Sequence, residues 1–116
     1  MKRVAIIGGG ASGLMAACHA AGGGNDVVIF EKQKKIGRKV LVSGNGRCNI
    51  TNRNISIDRY HGGNTRFVHD LFDRFGLDET IDFFASIGLP LVEEQNGKLF
   101  PASLQSATVV RLLEYE

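Results

Sequence analysis

A glycine-rich segment near the N-terminus, Gly-Gly-Gly-Ala-Ser-Gly, has the residue types and spacing that could hold phosphate groups. Gly8 permits a tight turn, Gly10 lets the backbone approach a pyrophosphate without an intervening Cβ, and Gly13 lets a helix pack closely on a strand. Ala11 and Ser12 lie in a first helical turn whose unpaired N–H groups and positive dipole end would face the phosphates. The spacing therefore predicts the pyrophosphate site of a dinucleotide.

An acidic residue follows at the distance that this chemistry requires. Glu31 lies eighteen residues past Gly13, close to the roughly 20 expected for an acid that accepts hydrogen bonds from ribose hydroxyls. A carboxylate there would repel a 2′-phosphate, so the pattern favours FAD or NAD over NADP. A flexible glycine-rich loop is the alternative, but the order of strand, loop, helix, strand and acid argues against it.

Two apolar runs flank the glycine segment and must position it. Residues 4–7 and 27–30 predict two strands, and the Ala-rich stretch between them predicts a helix that ends at the glycines 22–24. Neither run alternates with polar residues, so we expect parallel strands that are buried on both faces. The predicted fold class is α/β, with a Rossmann-type βαβ unit followed by helices and a small hairpin.

A second polar segment, residues 39–52, lies within the long stretch 32–63, which shows little periodicity. Long loops in compact domains are usually functional. Glycine, amide, hydroxyl and guanidinium groups occur close together in this segment, which can present backbone N–H groups and one cation to an anionic or polar ligand. An Asn/Gly turn with a surface arginine is the alternative, and the residues alone leave both open.

Two helices are predicted beyond this stretch. The first covers residues 64–75, with Gly76 after its end, and its apolar stripe is expected in the core; the stripe comprises Phe67, Val68, Leu71, Phe72 and Phe75. The second helix begins at Asp78, a plausible N-cap, and ends before Gly88.

A hairpin and a last helix complete the predicted elements. Asn96 and Gly97 predict a type I′ turn between two short strands, because both residue types tolerate positive φ. The last helix is predicted from about Ser103.

Composition narrows the class of protein. The 116-residue chain is 43% hydrophobic and 22% charged, as globular proteins are, and it has no apolar run long enough to cross a membrane. The N-terminus does not suit a signal peptide, so we expect a cytoplasmic protein without a membrane partner. Cys18 and Cys48 are expected to be free thiols, and no Cys/His spacing resembles a metal site.

Positive charge is concentrated in the first half of the chain. Residues 1–53 carry nine Lys/Arg against two acids, and a basic cluster follows Glu31, namely Lys32, Lys34, Lys35, Arg38 and Lys39. A solvated loop is the simplest explanation of Lys34 and Lys35. Nucleic-acid binding is a further option, but aromatic residues are not interleaved with the cations, so no nucleic-acid partner is expected.

Four segments together resemble one family: residues 7–17, Phe30-Glu31-Lys32, residues 37–52 and residues 97–101. The chain resembles the N-terminus of the bacterial BaiN/RdsA-type NAD(P)/FAD-dependent oxidoreductases, which are often described as aminoacetone-oxidase-like flavoproteins. The run Ser-Gly-Asn-Gly-Arg-Cys-Asn-Ile-Thr-Asn is the most specific of these motifs, although Asn45 stands where a glycine is common in the family.

The resemblance implies an FAD site along the chain. It implies that the FAD pyrophosphate contacts Gly8, Gly10, Ala11, Ser12 and Gly13, and that the adenosine ribose contacts Glu31. Lys32 would lie near the adenine side, and Arg38 and Lys39 would offset phosphate charge. The ribityl chain or flavin ring would be approached by Asn45, Gly46, Arg47, Cys48 and Asn49.

The resemblance also implies how the chain works. Members are longer, two-domain flavoenzymes, so residues 1–116 would be the N-terminal part of an FAD domain, apparently truncated, with the rest of the flavoprotein as its partner. In the complete enzyme, hydride would pass between NAD(P)H or a small organic substrate and FAD. No catalytic acid or base is predicted, and Cys48 is not expected to be redox-active because Cys18 offers no paired spacing.

Two other functions stay open from the residues. The same fingerprint could hold NAD in an NAD-dependent dehydrogenase domain. The chain could also be a non-enzymatic gene fragment that acts only with a partner chain, because parallel strands with uncovered edges expose backbone and apolar groups. Activity of the chain alone is not expected.

Overall fold

Two parallel strands joined by a helix begin the chain, in a computed structural model that describes all of residues 1–116. Strand β1 (Arg3–Ile7) pairs in parallel with β2 (Asp26–Phe30), and helix α1 (Ala11–Gly22) connects them. The register runs evenly from Arg3 opposite Asp26 to Ile7 opposite Phe30. The predicted βαβ unit is therefore confirmed.

Helix α1 covers one face of this pair. Its buried residues are Leu14, Ala17 and Cys18, and Ile6 of β1 faces the helix beside Gly13. The helix ends at the glycine run as predicted, because Gly24 takes a φ of 76° that glycine adopts without a Cβ penalty.

The other face of the strand pair is open. Ile7 is 82% exposed and Phe30 is 56% exposed, so side chains alternate between partly buried and exposed along both strands. The prediction of burial on both faces is wrong for this chain, because nothing within its first unit covers the second face.

The chain divides into two compact units, of which the first comprises Met1–Cys48 and Ser103–Glu116. Besides the βαβ unit, it contains the short helix α2 (Arg38–Val42), a 3₁₀ turn (Ser43–Gly46) and the helix α5 (Ser106–Tyr115). Helix α2 lies in the stretch that was predicted to lack regular structure.

Helix α5 packs against α1 and α2 within the first unit. It buries Val109, Val110 and Leu113, and the buried Ser106 hydroxyl donates to the Leu41 carbonyl at 2.6 Å. The helix begins later than the predicted Ser103, because Leu104 has a φ of 53°, which a right-handed helix cannot include.

The second unit, Asn49–Ala102, is built on a three-stranded antiparallel sheet in the order β3–β5–β4. Its elements in chain order are β3 (Thr51–Asn52), a 3₁₀ turn (Ile57–Arg59), α3 (Arg66–Arg74), α4 (Leu77–Ser86), β4 (Leu91–Glu93), a 3₁₀ turn (Gln95–Gly97) and β5 (Lys98–Pro101). Asn96 and Gly97 have φ of 62° and 74°, and the Lys98 N–H donates to the Gln95 carbonyl. The left-handed turn predicted from Asn-Gly is confirmed.

The helix pair α3 and α4 differs from its prediction in two ways. Gly76 has a φ of −98° and is the N-cap of α4, so Asp78 lies inside the first turn instead of capping it. The prediction that the apolar stripe of α3 lies in the core is wrong, because Phe67 is 59% and Leu71 56% exposed. Val68 and Phe72 are only half-buried, whereas Phe84 of α4 is buried. None of the helices has the length and hydropathy that a membrane span requires.

Candidate dinucleotide-binding site

The glycine loop leaves β1 through a sharp turn and leads into α1. Gly8 has a φ of 99°, and its N–H donates to the Phe30 carbonyl at 2.8 Å, which fixes the loop to the end of β2. Gly10 is extended (φ −82°, ψ −171°) and is the N-cap of α1, where no side chain caps the helix. The loop therefore ends on an uncapped helix N-terminus.

Of the three predicted glycines, one is closely packed and two have open space where a side chain would lie. A Cβ on Gly13 would collide with the Gly8 carbonyl oxygen, so this glycine is required by the packing of the helix on the loop. A Cβ on Gly8 or on Gly10 would meet no atom within 4 Å. The space in front of Gly10 is thus open to a ligand, as a pyrophosphate cradle requires.

The first turn of α1 supplies hydrogen-bond donors beside this space. The Leu14 N–H is bonded to the Gly10 carbonyl at 2.9 Å, while the amides of Ala11, Ser12 and Gly13 precede any intrahelical acceptor. The turn carries no acidic residue that would oppose an anion. Donors and the positive end of the helix dipole therefore suit a phosphate group.

Glu31, directly after β2, is bonded to the loop. Its Oε2 accepts from the Gly9 N–H at 2.7 Å, and its Oε1 accepts from the Gln33 N–H at 2.7 Å. These bonds, first that from Gln33 and then that from Gly9, lower the pKa of Glu31, and Arg38 adds to the effect. The side chain is therefore a carboxylate at neutral pH. It can accept hydrogen bonds from ribose hydroxyls and would repel a 2′-phosphate.

Gly9 and Gly37 are two site residues that sequence analysis missed. The Gly37 N–H donates to the Gly9 carbonyl at 2.7 Å, which joins the glycine loop to the start of α2. A Cβ on Gly9 would lie 2.6 Å from Ile36 Cγ2, and one on Gly37, whose φ is 66°, would lie 2.7 Å from Val110 Cγ2. Two signals were available: Gly9 is an extra glycine at a position where the fingerprint requires none, and Gly37 begins one of the segments that carry the family resemblance.

The basic residues after Glu31 are distributed around α2. Arg38 begins the helix and donates from Nη1 to Gln33 Oε1 at 2.8 Å, so it lies on the Glu31 side of the site. Lys32 and Lys39 are exposed. An open cavity of about 500 Å³ adjoins this region, lined by Gln33, Lys34, Lys35, Arg38, Leu41 and Val42.

The predicted flavin-side segment forms a left-handed turn after α2. Gly44, Asn45 and Gly46 have φ of 55°, 57° and 80°, and the Arg47 N–H returns to the Gly44 carbonyl at 3.2 Å. This explains the run of glycine and asparagine, which tolerate the left-handed region better than other residues. A backbone hydrogen bond thus holds the turn, and its contact with a flavin stays a prediction.

Cys48 closes this turn. Its φ is 61°, its N–H donates to the Ser43 carbonyl at 3.0 Å, and its side chain is buried. Burial raises the pKa of the thiol, so Cys48 is protonated at neutral pH and a poor nucleophile. Cys18 is also a free buried thiol, and its Sγ donates to the Leu113 carbonyl at 3.3 Å.

Asn49 belongs to the second unit. With its amide nitrogen oriented toward the sheet, its side chain donates to the carbonyls of Thr51 (3.0 Å) and Leu99 (3.2 Å). The amide nitrogen therefore stabilises the β3–β5 end of that unit.

Comparison with known proteins identifies the family. Residues 2–116 match the family model described as the HI0933-like protein Rossmann domain. The whole chain is 45% identical to the 3-dehydro-bile acid delta(4,6)-reductase of Clostridium scindens and covers 29% of that protein. It is 40% and 37% identical to the ribosomal RNA dihydrouridine synthases of Haemophilus influenzae and Escherichia coli, over 82% of the chain and 24% of each relative.

The chain thus spans less than a third of the length of these relatives. The match confirms both the predicted family and the predicted Rossmann-type fold. It covers the glycine loop, Glu31 and the left-handed turn of Gly44, Asn45 and Gly46. The chain belongs to the HI0933-like family and is similar to its Rossmann domain.

Proposed function

We propose that this chain holds FAD for a flavoprotein oxidoreductase. The observation that carries the proposal is the open space at Gly10, bordered by the uncapped N-terminus of α1 and followed by the ionised Glu31. These features provide donors for a pyrophosphate and acceptors for a ribose in the order that a dinucleotide presents them. A reductase among the relatives agrees with redox chemistry.

The predicted site residues of the first unit each have a role in this proposal. The amides of Ala11, Ser12 and Gly13 bind the pyrophosphate, and Glu31 orients the adenosine ribose. The other proposed contacts lie on the adenine side (Lys32), near the phosphate charge (Arg38 and Lys39), and at the ribityl chain or flavin ring (Asn45, Gly46, Arg47 and Cys48). When bound, the flavin would accept hydride from NAD(P)H and deliver it to an organic substrate.

The names of the relatives suggest the reaction class. A delta(4,6)-reductase and a dihydrouridine synthase both act on a carbon–carbon double bond, which gains two hydrogens. We propose that the complete protein reduces such a bond in a small organic molecule, with polypeptide beyond residues 1–116 supplying the substrate pocket. We further propose a cytoplasmic protein without a nucleic-acid or membrane partner; because two relatives are named for ribosomal RNA, an RNA substrate is the alternative. The two free thiols agree with a reducing compartment.

Dependence on further polypeptide is favoured by the open face of the strand pair. Ile7, Val28 and Phe30 present exposed apolar surface there, which a stable fold normally covers. The chain would then bind the cofactor by itself but act as an enzyme only together with that polypeptide. An NAD-dependent dehydrogenase domain is the other candidate, because Glu31 suits NAD as well as FAD.

Two alanine substitutions at opposite ends of α1 test the proposal. Gly10→Ala places a methyl group where the pyrophosphate would bind, and Gly22→Ala is its control, since neither Cβ would meet a protein atom within 4 Å. We expect G10A to weaken FAD binding about tenfold or more, as loss of more than about 1.4 kcal/mol would do. G22A should leave binding unchanged, and both variants should fold.

The measurement is an equilibrium titration of the full chain with FAD, repeated with NAD⁺. FAD binding that G10A leaves intact would refute the proposed cradle. Tight binding of NAD⁺ but not of FAD would assign the chain to the dehydrogenase candidate.

A further inference from the structure

Both oxygens of the Glu31 carboxylate are already engaged by the main chain. Oε2 accepts from Gly9 and Oε1 from Gln33, each at 2.7 Å. A carboxylate has about four lone-pair sites, so beside its main-chain hydrogen bonds, which include one from Lys32, it keeps acceptor capacity for a ribose hydroxyl. The residue thus joins segments 22 residues apart in the chain.

Gly9 is held from its other side as well. Its carbonyl accepts from Gly37, so both polar groups of this peptide are bonded to protein. Ile36 fills the space where a Gly9 side chain would lie. Gly9 is therefore an anchor of the loop, and the amides left for a phosphate are those that follow Gly10.

We propose that Glu31 is a positioning residue that holds the glycine loop in its phosphate-binding shape before the cofactor binds. The inference rests on the proposed dinucleotide site and adds a second role to the ribose contact. A loop that is already ordered loses less conformational entropy on binding, so Glu31 contributes to pyrophosphate affinity without touching the pyrophosphate.

A carboxylate is required for this role because both partners are donors. Glutamine has one acceptor oxygen, and its NH₂ group would face either the Gly9 or the Gln33 N–H. Glu31→Gln therefore breaks one of the two bonds while keeping the size of the side chain. Glu79→Gln is a matched control, because Glu79 Oε2 accepts from the Gly76 N–H at 2.8 Å in the second unit.

The first experiment needs no ligand. In ¹⁵N-labelled full chain, amide hydrogen exchange of Gly9 and Gln33 is compared between wild type, E31Q and E79Q. We expect exchange at one or both amides to accelerate about tenfold in E31Q, as loss of a charge-assisted hydrogen bond implies, and to be unchanged in E79Q. Unchanged exchange at both amides in E31Q would overturn the proposal.

The second experiment separates positioning from ribose recognition. Wild type and E31Q are titrated with ADP and with 2′,3′-dideoxy-ADP, which lacks the hydroxyls that Glu31 would accept. A positioning role predicts that E31Q still loses about threefold or more in affinity for the dideoxy ligand. If the loss is confined to ADP, Glu31 acts on the ribose alone and the proposal fails.

The two experiments distinguish the inference from the proposed function. If the wild-type chain binds neither nucleotide while E31Q accelerates amide exchange, the loop bond exists but the proposed cofactor site fails. The claim that the bond serves phosphate binding then fails with it.

Discussion

At the scale of single residues, each glycine of the loop has its own physical reason. Gly8 takes a φ of 99°, Gly13 lies against the Gly8 carbonyl, and Gly10 leaves open space in front of the helix. Gly9 is buried between Glu31 and Ile36. Substitutions at neighbouring glycines should therefore have different effects: some should destabilise the fold, and others should weaken ligand binding.

The ionisation of Glu31 gives a prediction about pH. Backbone hydrogen bonds lower the pKa of this carboxyl below its ordinary 4.5, so at acid pH the unfolded chain binds more protons than the folded chain. The stabilisation is fully present above 4.5 and is lost as the pH falls through the folded-state pKa. We expect the Tm of wild type to exceed that of E31Q near neutral pH and the two to converge in acid.

Thermal unfolding between about pH 3 and pH 7 measures this convergence. Glu79 provides a comparison, because backbone hydrogen bonds also lower its pKa. If the difference in Tm between wild type and E31Q is the same at every pH in this range, the lowered pKa of Glu31 is contradicted.

At the scale of elements, the βαβ unit depends on close approach of α1 to the loop. A methyl group on Gly13 would collide with the Gly8 carbonyl, which the bond from Gly8 to Phe30 holds in place. Gly13→Ala should therefore destabilise the chain by about 1–3 kcal/mol or more, as overpacking does. Urea unfolding measures the change, and a G13A chain as stable as G22A would show that the helix can move away.

The βαβ unit and the hairpin could be predicted because their signals are local. Each of these patterns predicts the conformation of its own residues: an apolar run predicts a strand, a glycine loop a tight turn, and Asn96-Gly97 a hairpin turn. The Gly9 N–H donates to Glu31 and the Gly9 carbonyl accepts from Gly37; both bonds join residues far apart in the chain, so no spacing rule revealed them. Helix α2 has five residues, too few for periodicity to show.

Burial was the property that local patterns predicted least well. The stripe of α3 has helical spacing, yet Phe67 and Leu71 are exposed, because periodicity shows which face is apolar and not whether anything covers it. The same reason explains the open face of β1 and β2. For the candidate site, residue types could be predicted, whereas the partners of Glu31 required the fold.

At the scale of the whole molecule, two neighbouring isoleucines of β1 should respond differently to charge. Ile6 faces α1, whereas Ile7 is 82% exposed on the open face. Ile7→Lys should change the free energy of unfolding by no more than about 0.5 kcal/mol and should reduce self-association. Ile6→Lys should cost several times as much, because it places a charge under the helix.

Urea unfolding and sedimentation velocity together measure these effects. An I7K chain that unfolds as readily as I6K would mean that the second face is covered in solution. An I7K chain that is stable but self-associates as the wild type does would show that association uses another surface.

The central claim is that the glycine loop and Glu31 hold FAD, and a crystal structure of the chain grown with FAD tests it most directly. We predict electron density for the pyrophosphate at the N-terminus of α1 in front of Gly10, and for the adenosine ribose against Glu31. The Glu31 bond to Gly9 should be unchanged. FAD bound at another surface, or an empty loop at saturating FAD, would contradict the account.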